Sequence, residues 1–513
     1  MLSRRWYLVL LLSLVLVAFS AQVVRAEGAA ATENPSSLLL TDLLSFLLPL
    51  GLILLAVGAA DAERAVDVAV AGLLSLGLSV LGYFLCGFAL QFGGVGLISD
   101  LEGLSLLTAE WSPLDIELGT GWGMMGLRGF ALNSDASTRD AYTLFFSQLP
   151  LVTTAVLIPI LTLVGKARRS TLFAVGLFVS AVAYPIVGNW IWGGGWLANL
   201  GRTVGFGHGG VDFLGSGSVH LLGAVTALVG ILVLRLRSPE SSPSEPATMP
   251  PVHFPLFMIL GALLAALGCM AAAAGNPLVP PDVPLVVVLV NLLFATVGGA
   301  LMTLFYAWFT TTTPDALMGA RGAVAGLVAA SASCAFISPW SALTIGAVSG
   351  LALPLITYLT DRVLHFDDAG AALSVHGFSG LWGLLALAVF SDGRYGVGWN
   401  LMGRAYGGAP GQGVTGVFAL PGYRPDFPGQ LYAQLAVLVG TMLFVGLLSW
   451  GLFALLRWLY RVPSIVREEA ARRRSEAERA LSGEAALADE VDQESVERED
   501  EEEDPQLELP AES

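Results

Sequence analysis

Charged residues are scarce in this chain of 513 residues. Asp, Glu, Lys and Arg make up only 13% of it, whereas 55% is hydrophobic. Mean hydropathy is +0.71, so apolar segments dominate most of the length. So little charge spread over so long a chain excludes an ordinary soluble globular protein and predicts a polytopic membrane protein.

Cysteine is also rare, and motifs for chemistry are missing. Cys86, Cys269 and Cys334 each lie in an apolar stretch, and none belongs to a CxxC motif or a Cys/His cluster. This pattern predicts neither a disulfide framework nor a zinc site. We see no nucleophile–base constellation and no phosphate-binding loop, so we expect no enzyme activity, no metal and no cofactor.

The chain lacks the excess of positive charge that is typical of nucleic-acid binders, so we expect no nucleic-acid partner. The formal net charge is −16, but residues 466–513 hold 18 acidic residues against 6 arginines. The remaining membrane part therefore carries only about −4. We predict that residues 466–513 form an acidic, largely disordered cytoplasmic tail.

The amino terminus has the pattern of a signal peptide. Arg4 and Arg5 precede a short apolar run that ends near Phe19, and small residues follow it. Cleavage after Ala21 or Ala26 would fit, so residues 1–26 are predicted to be a signal peptide. The alternative is an uncleaved first transmembrane helix, for which the apolar run is short.

Eleven apolar stretches beyond this leader are long enough to cross a bilayer. They cover roughly residues 38–60, 67–93, 142–165, 171–193, 216–235, 255–274, 283–310, 320–337, 341–360, 373–391 and 430–457. An odd number places the two ends on opposite sides, and the Lys/Arg clusters fall in the loops that this topology places inside. We therefore predict a multi-pass cell-membrane protein with its amino terminus outside and its carboxyl terminus in the cytoplasm.

One polar motif, Asp-x5-Ser-Val-His, occurs twice, at Asp212–His220 and Asp368–His376. The copies begin the fifth and tenth spans, which run in opposite directions, so we predict two inverted five-helix repeats plus a final helix. Ionisable groups inside a membrane usually mark a site or pathway. The alternatives are that the aspartates only cap helices and that each histidine is a hydrogen-bonded core residue. The outer-loop His208 is expected to be solvated or to cap a helix.

Several segments together resemble the ammonium transporter/Rhesus family. Singly each is Gly/Ala-rich helix-packing sequence, but their order and spacing match the family across roughly residues 40–460. On this resemblance we assign residues 37–465 to an ammonium-transporter-like membrane domain. The segments are Gly87–Gly93, Trp192–Trp196, Asp212–His220, Gly319–Val328, Phe336–Trp340 and Asp367–Gly377.

The resemblance implies a homotrimer of eleven-helix subunits, each with a narrow pore that passes ammonium or ammonia inward. It makes His220 and His376 the twin histidines of the pore. It places Trp192 and Asp212 at an outer recruitment site, where an aromatic face offsets part of the cation's dehydration cost. Asp368 is the counterpart of Asp212 in the inverted repeat, or only a structural cap. An interfacial belt residue is the alternative reading of Trp192.

The chain departs from the family pattern where a gate and part of the outer site are expected. Leu151 and Cys269 occupy the positions of two gate phenylalanines, and Ala273 stands where many members have a hydroxyl. Phe145 or Phe146 is a candidate for supplying a ring from another turn. These losses predict weaker recruitment of the cation, while the histidine pair is kept.

The tail lacks the family's usual ending, which leaves a cytoplasmic regulatory partner in doubt. Two further functions stay open beside transport. One is an ammonium-binding sensor or regulatory membrane protein that conducts poorly, which the altered gate and tail would favour. The other is a channel for a related neutral gas or a methylated amine.

Overall fold

The computed structural model describes residues 35–236, 254–279, 283–313, 315–368, 370–404, 406 and 409–460. The predicted signal peptide at 1–26 and the predicted tail at 466–513 lie outside the described residues. The described residues are mostly helical, and their one sheet has two strands, β1 (Glu110–Trp111) and β2 (Met125–Gly126).

The helices follow the apolar stretches of the sequence. The α-helices are Pro35–Ser45 (α1), Leu47–Ala59 (α2), Ala62–Gly82 (α3), Phe88–Phe92 (α4), Asp115–Leu118 (α5), Arg139–Leu163 (α6), Arg169–Phe178 (α7), Tyr184–Trp192 (α8), Leu200–Val204 (α9), Leu222–Leu234 (α10), Pro255–Gly275 (α11), Leu285–Thr311 (α12), Ala316–Ser331 (α13), Pro339–Tyr358 (α14), Phe378–Phe390 (α15) and Gly429–Tyr460 (α16). Short 3-10 turns are Val95–Leu97, Glu102–Leu104, Phe130–Leu132, Ser134–Ala136 and Trp399–Leu401.

Ten helical segments in the described part of the chain are long and apolar enough to cross a membrane. They coincide with ten of the eleven predicted spans, which confirms an all-α polytopic membrane protein. The predicted eighth span, 320–337, is instead the shorter helix α13, Ala316–Ser331. Helix α13 ends at Ser331, before the predicted end of the span at residue 337. The next helix, α14, begins at Pro339 with Ser338 as its N-cap.

In the described part of the chain, five π-helical turns interrupt, begin or end these spans, and two of them carry the histidines. They are Tyr83–Gly87, Val179–Ala183, Ser216–Leu221, Leu359–Val363 and Ala372–Gly377. Both histidine-bearing turns follow a left-handed residue, Gly215 (φ 94°) and Ala371 (φ 54°). π-turns are rare and frequent at functional sites. The same backbone device at the start of the last span of each predicted repeat agrees with an inverted pair.

Several helices cross closely at glycines. Between the two halves, a Cβ at Gly51 on α2 would collide with the α11 backbone at Ala265. In the second half, Gly299 on α12 and Gly350 on α14 approach each other in the same way. Small residues let helix backbones pack tightly where apolar lipid provides no hydrophobic drive. The two pairs of helices therefore form a rigid scaffold around the segments between them.

Candidate functional site

The two predicted histidines meet at the centre of the molecule. His220 Nδ1 and His376 Nδ1 are 3.1 Å apart, with ring planes 7° from parallel and ring centroids 5.0 Å apart. Their exposed fractions are only 2% and 6%. A neutral imidazole has one N–H donor and one acceptor nitrogen. The contact therefore holds one proton between the rings, and either ring can be the donor.

Asp212 holds the turn that carries the first histidine. Its Oδ1 accepts the Gly215 N–H, and its Oδ2 accepts the N–H groups of Gly217 and Ser218 and the Ser218 hydroxyl, at 2.8 to 3.1 Å. Asp212 is 1% exposed. Both carboxylate oxygens thus satisfy donors that a helix start leaves unpaired. The geometry makes Asp212 the cap of the turn Ser216–Leu221.

Asp368 makes nearly the same set of bonds in the second half. Its Oδ1 accepts the Leu373 N–H, and its Oδ2 accepts the N–H and the hydroxyl of Ser374, at 2.9 to 3.0 Å. The serine of each Ser-Val-His motif thus serves as the partner of its aspartate six residues earlier. This explains the spacing Asp-x5-Ser-Val-His: the serine closes the cap, and the histidine follows two residues later.

Trp192 lies at the end of α8 and contacts the loop that carries Asp212. Its indole N–H donates to the backbone oxygen of Asp212 at 2.8 Å, and its ring is 6.2 Å from the Tyr184 ring. The tryptophan is therefore fixed in place, with its hydrogen-bond donor used and its ring face left for packing or for a cation. Trp190, two residues earlier on α8, is buried, and its indole N–H donates to the Met124 backbone oxygen.

Two glutamines on the last helix, α16, clamp the loop that leads to Asp212. Gln434 accepts the Val211 N–H at 2.9 Å and donates to the Val211 oxygen at 2.8 Å. One turn earlier, Gln430 accepts the His208 N–H and donates to the Gly209 oxygen. The side-chain amides of the two glutamines thus pair with the loop backbone as a neighbouring β-strand would. Glutamines four residues apart in an apolar span are the signal in the sequence, and the sequence reasoning missed it.

Gln434→Leu is expected to destabilise the protein by roughly 2 to 4 kcal/mol, because it leaves two buried backbone groups of Val211 unpaired. The midpoint of denaturant unfolding in detergent measures this. The matched control is Thr441→Val on the same helix, because the Thr441 hydroxyl is buried and has no hydrogen-bond partner among the described residues. Equal midpoints for the two variants would contradict the clamp.

The positions that depart from the family pattern are all in the packed interior. Leu151, Cys269 and Ala273 are at most 4% exposed, and the Cys269 Sγ is 4.0 Å from the Ser331 hydroxyl oxygen. The candidate substitute rings are already engaged. Phe145 packs on Tyr83 and Phe88, and Phe146 packs on Phe46.

A buried polar network beside Trp192 was not predicted from the sequence. Tyr83 donates to Gln91 Oε1 at 2.9 Å, and Gln91 donates in turn to Gln148 Oε1 at 3.2 Å. The Tyr184 hydroxyl donates to the same Gln148 oxygen at 2.9 Å. All four side chains are at most 1% exposed. Since buried polar groups in a membrane protein need partners, this network fixes α8 against α4 and α6.

His208 differs from the expectation of a solvated or capping residue. It is fully buried, and its ring lies 4.2 Å from the Tyr406 ring. Burial lowers the pKa of His208 to about 4, so the ring is neutral at ordinary pH. The hydrogen bonds from Gln430 and Gln434 hold this loop against α16, so the His208 side chain is buried. His365 is exposed, and His253 lies outside the described residues.

No cluster of three or more His, Cys, Asp or Glu suited to a metal ion occurs in the part of the chain that the structure describes. One ion pair joins the two halves near the second motif: Lys166 Nζ is 2.6 Å from Asp367 Oδ1. It links the end of α6 to the residue just before Asp368. The lysine is almost fully buried, so this ion pair is part of the packed contact between the two halves.

Comparisons with known proteins agree on one family. A family model described as Ammonium Transporter Family matches residues 37–472. Ammonium transporter Amt2 of Archaeoglobus fulgidus is 32% identical over 410 residues, which cover 77% of this chain and 81% of the relative.

Solved structures give the same fold. One described as Sensor Amt Protein superposes with a TM-score of 0.65 at 23% identity, covering 83% of this chain and 93% of its own. Mep2 of Candida albicans superposes with a TM-score of 0.61 at 19% identity, covering 80% and 81%. At these identities the likeness establishes the fold.

Proposed function

Since the chain belongs to the ammonium transporter family, we propose that it moves ammonium or ammonia through a narrow pore in each subunit, with His220 and His376 at its centre. Family membership implies ammonium transport across a membrane and no enzyme activity. The observation that carries the finer proposal is the 3.1 Å contact between the two buried Nδ1 atoms.

The chemistry of the pair suits a substrate that exists as a cation and as a neutral base. An ammonium ion at the bilayer centre is costly, whereas ammonia is not. Imidazole gains and loses a proton near neutral pH. The coupled rings take a proton from ammonium and release it again while ammonia passes. Each aspartate holds its histidine in position by capping the turn that carries it.

The recruitment site is proposed at Trp192. Its fixed ring offers a face for cation–π attraction, which contributes roughly 0.5 to 2 kcal/mol. The carboxylate of Asp212 acts here through the backbone, because its oxygens already accept four hydrogen bonds. It positions the loop that Trp192 touches and adds negative potential behind it.

The assembly and orientation are part of the same proposal. We assign a homotrimer in the cell membrane, with the loop between α4 and α6 outside and the acidic tail in the cytoplasm. The placement of Lys/Arg clusters in the predicted inner loops supports the orientation. A regulatory partner for the tail stays a proposal without a structural argument.

Reconstitution tests the function directly. Full-length protein in liposomes is expected to take up labelled methylammonium faster than protein-free liposomes when an inward gradient is applied. A current recorded with the same liposomes shows whether charge moves with the substrate. Unlabelled ammonium is expected to compete.

Folded protein that gives no uptake would overturn the transporter proposal. If methylammonium still raised its unfolding temperature, the protein would be a sensor that binds without conducting. Uptake that ammonium does not compete with would point to the other cargo, a related amine or neutral gas.

A further inference from the structure

Glu110 lies in an unusual place for a carboxylate of an outer loop. It begins the short strand β1, which pairs with β2 so that Glu110 faces Gly126. Its side chain packs against Gly94 and Gly123, where any added Cβ would meet it. The two glycines thus make a cradle that only a residue without a side chain can form. Burial raises the pKa of Glu110 to about 7, and the nearby Asp115 adds to the shift.

Two buried side-chain oxygens, one in this cradle and one on a neighbouring residue, have no hydrogen-bond partner among the described residues. Glu110 Oε1 is buried without a partner, and so is the side-chain oxygen of Asn189, which is itself fully buried. The Asn189 side chain lies next to the Glu110 carboxyl group. Its amide nitrogen donates to the Gln91 backbone oxygen at 3.1 Å, and hydrogen bonding from the Asn189 and Ser112 side chains partly offsets the rise in the pKa of Glu110. Unpaired buried acceptors cost roughly 1 to 3 kcal/mol each, so the arrangement favours a donor that comes from outside the chain.

The site is next to the proposed recruitment tryptophan. Asn189 is three residues before Trp192 on α8, and side chains at this spacing lie on one face of a helix. The loop that carries Glu110 is tied to the same region, because the backbone N–H of Trp196 donates to the backbone oxygen of Gly123 at 2.9 Å. Asn189, which neighbours Glu110, is therefore one helical turn from Trp192 on α8.

We propose that Glu110 and Asn189 form a binding site for a small cation that donates hydrogen bonds, ammonium or methylammonium, beside Trp192. The inference rests on the proposed transport function, since it names a further residue pair that recognises the same cargo. The cation's N–H groups supply the donors that both oxygens lack. The carboxylate offsets the charge that the ion would otherwise bring into a partly dehydrated position. This contact replaces some of the recruitment lost at Ala273 and Cys269.

Uptake kinetics test the site with a matched pair of variants. Glu110→Gln is expected to raise the KM for methylammonium roughly tenfold with little change in maximal rate, the scale of one lost charge-assisted hydrogen bond. Glu117→Gln is the control, because it removes the same charge from an exposed position in the same loop. Equal KM values for the two variants would overturn the proposal.

The pH dependence separates binding from a structural role. A carboxyl whose pKa is raised to about 7 is charged only above that pH. The wild-type KM is therefore expected to fall as the outer pH rises through about 7, while the substrate stays an alkylammonium cation throughout. Glu110→Gln is expected to lose this dependence, and Glu117→Gln to keep it. A pH profile that survives in Glu110→Gln would contradict the assignment.

A binding measurement keeps this test independent of transport. Methylammonium is expected to raise the unfolding temperature of wild type and Glu117→Gln, and to raise that of Glu110→Gln much less. A wild type that binds but gives no uptake would refute the transport function and leave the site standing. A wild type that transports, with equal thermal shifts in all three proteins, would refute only the site.

Discussion

Replacing either His220 or His376 by alanine is expected to reduce methylammonium uptake roughly 100-fold or more at neutral pH, the lower end of the range over which a positioned acid–base group acts. Each Nδ1 has the other as its partner at 3.1 Å, so one substitution ends the sharing of the proton. The remaining ring keeps an unpaired nitrogen in a buried position. Uptake and current in liposomes, measured for both single variants, check this result.

His376→Gln separates hydrogen bonding from proton transfer. Glutamine carries a donor and an acceptor, so it can keep a bond to His220, but it does not gain and lose a proton near neutral pH. We expect its unfolding temperature to stay close to wild type while uptake falls as in His376→Ala. The control is His365→Asn, an exposed position with a left-handed backbone that asparagine tolerates.

Wild-type uptake in both alanine variants would remove the histidine pair from the mechanism. A glutamine variant with full uptake would keep the hydrogen bond and exclude proton exchange. In that event the rings would serve only to line and shape the passage.

Asp212→Ala is expected to cost roughly 3 to 6 kcal/mol of stability and to abolish uptake. It leaves the N–H groups of Gly215, Gly217 and Ser218 without their buried acceptor, each worth roughly 1 to 3 kcal/mol. The turn that carries His220 loses its cap, so the Nδ1 contact is expected to lengthen. Denaturant unfolding and uptake on the same preparation measure both effects.

The two aspartates provide a matched comparison. Asp368→Ala is expected to cost slightly less than Asp212→Ala, because Asp368 accepts three hydrogen bonds where Asp212 accepts four. Asp212→Asn keeps a side-chain oxygen and is expected to retain part of the stability. A stable Asp212→Ala variant with altered KM would instead make Asp212 a direct contact of the cation.

Local sequence predicted much of this arrangement. Apolar stretches of span length determined ten membrane helices, because hydrocarbon admits only segments whose backbone bonds are satisfied internally. The doubled Asp-x5-Ser-Val-His identified both histidines, since few other ionisable groups lie in the spans. The eighth span was predicted to run to residue 337, whereas α13 ends at Ser331. Hydropathy alone does not detect where a helix ends and a packed turn follows it.

The contacts between distant segments were beyond the reach of pattern alone. Gln434 bonds Val211 from more than two hundred positions away, and Tyr184 meets Gln148 across two helices. His208 reads as a loop residue, yet it is buried by that same clamp. Hydropathy treats each of these residues as a polar position in a span or loop, with no indication of its partner.

The sequence by itself determined the membrane class, the span positions and the two histidines, because these depend on local hydropathy and on one repeated motif. Only the tertiary structure decided that the histidines share a proton, that each aspartate caps the turn that follows it, and that Glu110 lies beside Asn189. The reason is physical: a hydrogen bond between segments far apart in the chain depends on distances of a few tenths of an ångström. Helix packing sets those distances.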